Sequence, residues 1–377
     1  MNGRRLSLFI ALTAAAAATL AAITLPGSDA TASSKVTRTY YVAADKVAWD
    51  YAPSGRNEIT DEAFGDAENI FVGSGRTRIG RTYFKALYRE YTDATFTTLK
   101  PVPEEWSHLG TLGPVLRGEV GDTIKVVFKN NTDFPFTMHP HGVFYEKSSE
   151  GAPYADGTSG ADKADDAVGP GELHTYVWEI PERAGPGPHD PSTILWMYHS
   201  HVNEPKDTNA GLIGPIIVGR EGALRQDGTP EDVDREFVQM FTVFDENASW
   251  YLDENIAEFT GVPPSVDPEH DAFIESNLMH SVNGYVFGNL PLSTLTMRRG
   301  ERVRWYMLGM GTEVDLHTPH WHGQSLVWAG MRTDIVELLP ASMKVLDMVP
   351  DNPGTWLYHC HVNDHIDAGM IARFRVE

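Results

Sequence analysis

Residues 196–203 read WMYHSHVN and residues 356–363 read WLYHCHVN. The fifth position decides what each copy can do: Ser200 in the first, and in the second Cys360, the single cysteine of the chain. Upstream of each octet stands an HxHG, HPHG at His139–Gly142 and HWHG at His320–Gly323. Alternate residues of a strand point the same way, so an HxH aims both rings to one side and its middle residue to the other. In His359-Cys360-His361 two imidazoles therefore face one site and a thiol faces another, a single residue away. A thiolate with imidazoles and a weak axial Met is the ligand signature of blue copper. The rest of that set is visible as His317, His365 and Met370 in HTPHWHG and HCHVNDHIDAGM. The His-x-His pairs, His139/His141, His199/His201, His320/His322 and His359/His361, make a matched histidine set for a multinuclear copper cluster. Zinc fits less well, because structural zinc sites carry Cys pairs and hydrolytic ones a His-Glu motif on a helix. Neither pattern occurs here.

The elements that position these residues are also duplicated. A Gly and an acid open a strand before each HxHG, in GDTIKVVFKN (Gly121–Asn130) and GERVRWYMLG (Gly300–Gly309). Alternation of Ile124, Val126 and Phe128 predicts a half-buried strand. With 34 Gly and 24 Pro punctuating short apolar runs, and no long helical periodicity, the chain reads as all-β, in Greek-key β-sandwich domains. The polar, turn-rich stretch Arg220–Glu236 is the expected linker, giving domain 1 over about 36–220 and domain 2 over about 235–377. Ser148–Asp166 and Ala184–Pro191 read as surface loops with no function of their own. They lengthen the spacing between the histidine motifs of the first copy (139 to 199) relative to the second (320 to 359). Aligning the octets sets Phe136 opposite His317, Ser200 opposite Cys360, Pro205 opposite His365 and Ala210 opposite Met370. Domain 1 thus keeps the cluster histidines and lacks the thiolate site. His108, His174, His189, His270 and His280 fall outside the scheme and read first as ordinary side chains.

Length and composition agree with two folded domains: 377 residues, 41% hydrophobic. One cysteine excludes an intrachain disulfide. A net charge of −22 excludes nucleic acid as a partner, since phosphates need the opposite sign. Arg4 and Arg5 precede an apolar, Ala- and Leu-rich run with small-residue cleavage options near 28–32. Residues 1–32 therefore read as an export signal, the paired arginines suggesting the twin-arginine type; a retained anchor is the alternative. After cleavage no span remains, and a secreted or extracytoplasmic location is expected.

These motifs resemble those of multicopper oxidases, specifically the two-domain type with blue copper in the second cupredoxin-like domain. The flanking text, KALYREYTDATF (Lys85–Phe96), HLGTLGPVLRGEVGDTI (His108–Ile124), KDTNAGLIGPIIVGREG (Lys206–Gly222) and FDENASWYLDENI (Phe244–Ile256), is similar to the ceruloplasmin and hephaestin branch. Small laccases share the architecture with less similar flanking text. The resemblance implies four coppers per subunit. Cys360, His317 and His365, with Met370 axial, would hold type 1 copper; His139 and His320 would hold type 2; and His141, His199, His201, His322, His359 and His361 would hold the type 3 pair. It further implies that Cys360, His359 and His361 carry electrons from the reductant to dioxygen, which becomes water. A homotrimer is expected, each cluster completed by domain 1 of one chain and domain 2 of the next, in a closed head-to-tail ring.

Among function classes, a copper nitrite reductase needs no second His-x-His pair in each half, and a copper carrier needs no His-Cys-His link. An oxidase is the reading that uses all of these residues. Its reductant is Fe(II) or another metal cation, or a phenol. Glu275, His280, Glu313 and Asp364 match the positions that hold substrate iron in the ceruloplasmin branch, with Glu313 supplied by the neighbouring subunit. Carboxylates and one imidazole beside a type 1 ligand suit a divalent cation.

Overall fold

The computed structural model describes residues 35–261, 266–312 and 315–377. They form four sheets, two from each half of this stretch, and the halves repeat one topology. In the first half, the strands Thr82–Tyr91, Thr37–Asp50, Thr123–Asn130, Leu173–Glu179 and Phe144–Tyr145 lie side by side in that order. A second sheet orders Leu116–Glu119, Ile213–Gly219, Thr193–His199 and His139–Pro140. In the second half one sheet runs Leu278–Val282, Arg235–Asp245, Val303–Gly309, Met343–Met348, Leu326–Trp328, Met331–Thr333. The other runs Thr296–Met297, Ile371–Val376, Gly354–Cys360, Pro319–Trp321. In both halves the opening strand pairs in parallel with the strand that follows the Gly-acid turn. Gly121 and Gly300 take positive φ in those turns, which an L side chain would resist.

Burial follows from where each sheet sits. Along Thr123–Asn130 the side chains alternate, with Ile124, Val126, Phe128 and Asn130 buried and Thr123, Lys125, Val127 and Lys129 half-buried. Val303–Gly309 is buried along its whole length. One face packs Val303, Trp305 and Met307 into the core that Trp321, Tyr358 and Phe374 also fill. The other sets Tyr306 and Leu308 in a separate core with Leu195, Met197 and Ile217 of the first half. Polar groups lock this second contact. The Tyr306 hydroxyl lies 2.7 Å from Thr193 Oγ1 and donates to Glu236 at 2.9 Å, and Arg117 grips the Glu236 carboxylate with both terminal nitrogens. The stretch between Gly219 and Arg235 connects the two sets of sheets, and the next strand begins at Arg235, inside the expected linker. The export-signal expectation for residues 1–32 lies outside the described residues. Among the described residues, no helix is long and apolar enough to cross a membrane.

Candidate metal centres

Each HxH strand pairs antiparallel with its octet strand in the same register, His139 opposite His199 and His320 opposite His359. That pairing gathers four rings in each half. In the first, ring centroids of His139 lie 5.5, 5.6 and 5.2 Å from those of His141, His199 and His201. In the second, His320 lies 4.6, 5.3 and 5.3 Å from His322, His359 and His361. No ring contact or hydrogen bond joins one quartet to the other among the described residues.

Within each quartet two Nε2 atoms meet, His141 with His199 at 3.1 Å and His322 with His359 at 2.9 Å. His199 and His359 have Nδ1 against the carbonyls of Ser200 (3.0 Å) and Cys360 (2.7 Å). A ring that donates from Nδ1 carries a lone pair on Nε2, which is how metal-binding histidines are set by their outer partners. Burial, reinforced by the neighbouring rings, lowers His141 to about 4 and His199 to about 3. His139, His320, His322 and His359 are lowered as well, burial first. At neutral pH these rings are uncharged, and their converging lone pairs fit a borderline-soft cation such as copper.

One residue away, on the opposite side of the strand, a second set converges. Cys360 Sγ is 3.7 Å from His365 Nδ1, and His365 Nδ1 is 3.2 Å from His317 Nδ1, all buried. The amides of Thr318 and Val362 donate to the sulfur at 3.4 and 3.5 Å. Burial pushes the thiol up, but the hydrogen bonds from His317 and His365 and these amides outweigh it and bring Cys360 down to about 6. A soft ligand is thus prepared in its metal-binding form. Met370, fully buried, is fixed by its backbone: its N–H donates to His365 O at 2.9 Å and its carbonyl accepts from Cys360 at 3.1 Å. Among the described residues, His317/Cys360/His365 and His320/His322/His359 are the two sets of three whose ligand atoms lie within 4.8 Å of one another.

Several residues that hold these centres have no motif of their own. Asp315 accepts from His317 Nε2 at 3.2 Å and from the Val243 and Thr312 amides at 2.7 Å each. It leaves His317 Nδ1 turned to the sulfur. Thr318 spans both sites, its amide on Cys360 Sγ and its carbonyl accepting from His361 N at 2.9 Å. Thr137 repeats the arrangement in the first half, donating its amide to Ser200 Oγ and accepting from His201 N. There the space of the thiolate site is closed. Ser200 donates to Asp207 at 2.7 Å, the same carboxylate accepts from the Val202 and Asn203 amides, and Trp250 Nε1 holds its other oxygen. The loop read as functionless from sequence also contributes, since the Glu150 carbonyl lies 2.6 Å from His139 Nδ1.

The four residues matched to a substrate cation are less closely assembled. His280 is buried, with its ring 5.1 Å from that of His365 and Nδ1 on the Leu278 carbonyl. Burial, and then His365, lower it to about 4, while Asp364 and Asp315 act in the opposite direction. Glu275, on the short helix Asp271–Ser276, and Asp364 are exposed. Glu275, His280 and Asp364 form no third close ligand set among the described residues, and Glu313 lies outside them. Of the other unassigned histidines, His108 accepts from the Val238 amide, His174 Nε2 lies 2.9 Å from the Ser148 carbonyl and His270 caps a helix.

Two family models described as multicopper oxidase match residues 109–222 and 262–377, together more than half of the chain. The chain is 48% identical to human ferroxidase HEPHL1 over 345 residues, covering 91% of this chain and 29% of that one. It is 49% identical to human hephaestin over 346 residues (90% and 29%) and 43% identical to human ceruloplasmin over 344 (90% and 30%). It therefore spans about three tenths of the length of these curated relatives. Among solved structures, the multicopper oxidase mgLAC superposes with a TM-score of 0.56 at 20% identity, over 91% of this chain and 87% of that one. The blue copper oxidase from Nitrosomonas europaea gives 0.54 at 17%, over 90% and 86%. These two likenesses establish the cupredoxin-like fold of the family.

Proposed function

The chain belongs to the multicopper oxidases, and from that premise we propose that it oxidises a reductant one electron at a time at a type 1 site and delivers four electrons to dioxygen. When bound, copper supplies the one-electron oxidation at the first site and the reduction of dioxygen to water at the second. The observation that carries the reading is the convergence of Cys360, His317 and His365, all buried, a single residue from the His320, His322, His359 and His361 quartet. Cys360 shares its backbone with His359 and His361, so the electron has a covalent route between the sites. Asp315 orients His317, the Thr318 and Val362 amides stabilise the thiolate, and the buried Met370, held by its backbone to His365 and Cys360, would be the remaining ligand to a copper bound there.

We read His139 and His320 as the type 2 ligands and the remaining six histidines of the quartets as the type 3 ligands, four coppers per subunit. Because the quartets make no contact with one another, each cluster is completed between chains, and a head-to-tail trimer closes the ring. Light scattering should give a trimer that loses copper and activity together on dilution; an active, fully metallated monomer would refute it. The reductant we favour is Fe(II), because relatives of this identity include one named a ferroxidase and because His280, beside His365, keeps Nε2 free of hydrogen. Asp364 and Glu275 are the carboxylates for it, and Glu313 is a fourth ligand. The apolar segment behind Arg4 and Arg5 supports export. Oxygen uptake by the copper-loaded protein tests the function: Fe(II) oxidation should saturate, with a higher kcat/KM than for a dimethoxyphenol. No saturation with Fe(II), and efficient phenol turnover, would put a laccase in its place.

A further inference from the structure

Glu150 and Gly151 share one peptide group, and both of its ends are engaged. Its carbonyl accepts from His139 Nδ1 at 2.6 Å, and its N–H donates to Asp165 Oδ2 at 2.7 Å. A carboxyl is thereby joined to a histidine of the first quartet through a single amide. A hydrogen bond made at the N–H of an amide polarises it and strengthens its carbonyl as an acceptor. Asp165 has 0% exposure, and its Oδ1 makes no hydrogen bond. A buried carboxyl with one oxygen unpartnered weakens a fold, so packing alone does not account for it.

The same segment reaches the histidine by a second route. The Asp165 carbonyl accepts from the Tyr176 hydroxyl at 3.2 Å, and that hydroxyl accepts from the amide of Met138, next to His139, at 3.3 Å. Gly151 makes the approach possible. It has φ +70°, and a Cβ there would lie 2.7 Å from Met138 O. The second quartet is built differently at the corresponding ring: His320 Nδ1 is buried without a partner, and Nε2 faces Asp334 at 3.6 Å.

We propose that Asp165 is a positioning residue for His139: through the Glu150–Gly151 peptide it fixes the ring with Nδ1 donating and Nε2 presented to the metal. The inference rests on His139 being a copper ligand. Asp165→Asn keeps an acceptor for the Gly151 N–H, whereas Asp165→Ala removes it. In both variants the loop stays tied by Trp178 Nε1 to the Ser149 carbonyl (3.0 Å) and by the Val177 amide to Ser149 Oγ (3.2 Å). Copper content, the electron paramagnetic resonance of type 2 copper and the blue absorbance would be measured for parent and variants. Asp165→Ala should weaken type 2 copper by roughly 10–100-fold and change its resonance with the blue band unaltered, as outer-shell losses do; Asp165→Asn should restore affinity in whole or part. Parent-like copper affinity and resonance in Asp165→Ala would overturn the proposal, as would loss of the blue band in step with type 2 copper in both variants. A parent protein with no type 2 resonance would overturn the ligand reading itself, a failure visible before any variant is made.

Discussion

Replacing Cys360 by serine in the metal-free protein should flatten the rise of stability with pH. Burial acts against the thiolate, but hydrogen bonds from His317, His365 and two amides lower the thiol from 9.0 to about 6. Below that value, folded and unfolded chains both carry the thiol and nothing is gained. Between about 6 and 9 the folded chain is deprotonated while the unfolded chain binds one more proton, so stability rises by about 1.4 kcal/mol per pH unit. The contribution is complete above 9.0 and is lost as pH falls through about 6, a total of about 4 kcal/mol. His317 opposes it. Burial pulls His317 down, but Asp315 and then Cys360 raise it, so its own contribution is present below its ordinary value and lost as pH rises through the folded one. The net difference between parent and Cys360→Ser should therefore grow by roughly 2–4 kcal/mol across the window. The sulfur is fully buried, so solvent does little to screen it. Urea unfolding of both metal-free proteins at pH 6, 7, 8 and 9 measures it. Two parallel stability curves would refute the thiolate and the hydrogen bonds held to stabilise it.

In the copper-loaded protein, Cys360→Ser should abolish the blue charge-transfer band and turnover while histidine-bound copper stays. Continued oxygen consumption by that variant would remove Cys360 from the electron route. Glu275→Ala combined with Asp364→Ala should depress Fe(II) oxidation and spare phenol oxidation; equal losses on both substrates would leave these carboxylates without a cation role. The Lys85–Glu246 ion pair, wholly buried with the Tyr51 hydroxyl on the same carboxylate, should make Lys85→Met costly, by about 3–5 kcal/mol in chemical unfolding. Pairing it with Glu246→Leu should recover most of that, because no unpaired charge is left inside.

By itself the sequence determined the all-β class, the internal duplication and the side of the strand on which Cys360 and its flanking histidines fall. Those rest on local rules: alternation along a strand sends His359 and His361 one way and Cys360 the other, whatever surrounds them. The same rules set Ser200, which offers no thiolate, where Cys360 stands in the second copy. Only the tertiary structure decided what fills that place and what holds the rings. Asp207 closes the first pocket, Asp315 orients His317, and Asp165 reaches His139 through a loop that looked functionless. The sequence gives no sign of these because carboxylates in polar, Gly-rich stretches are common, and what singles these out is burial and distance. The His139 contact runs through a backbone carbonyl, which every residue type possesses, so no side chain could announce it. The cation residues mark the same boundary. The resemblance placed Glu275, His280 and Asp364 together, whereas the fold buries the imidazole, on the strand Leu278–Val282, against His365 and leaves both carboxylates in solvent, because Glu275 and Asp364 sit on the short surface helices Asp271–Ser276 and Asn363–Asp367.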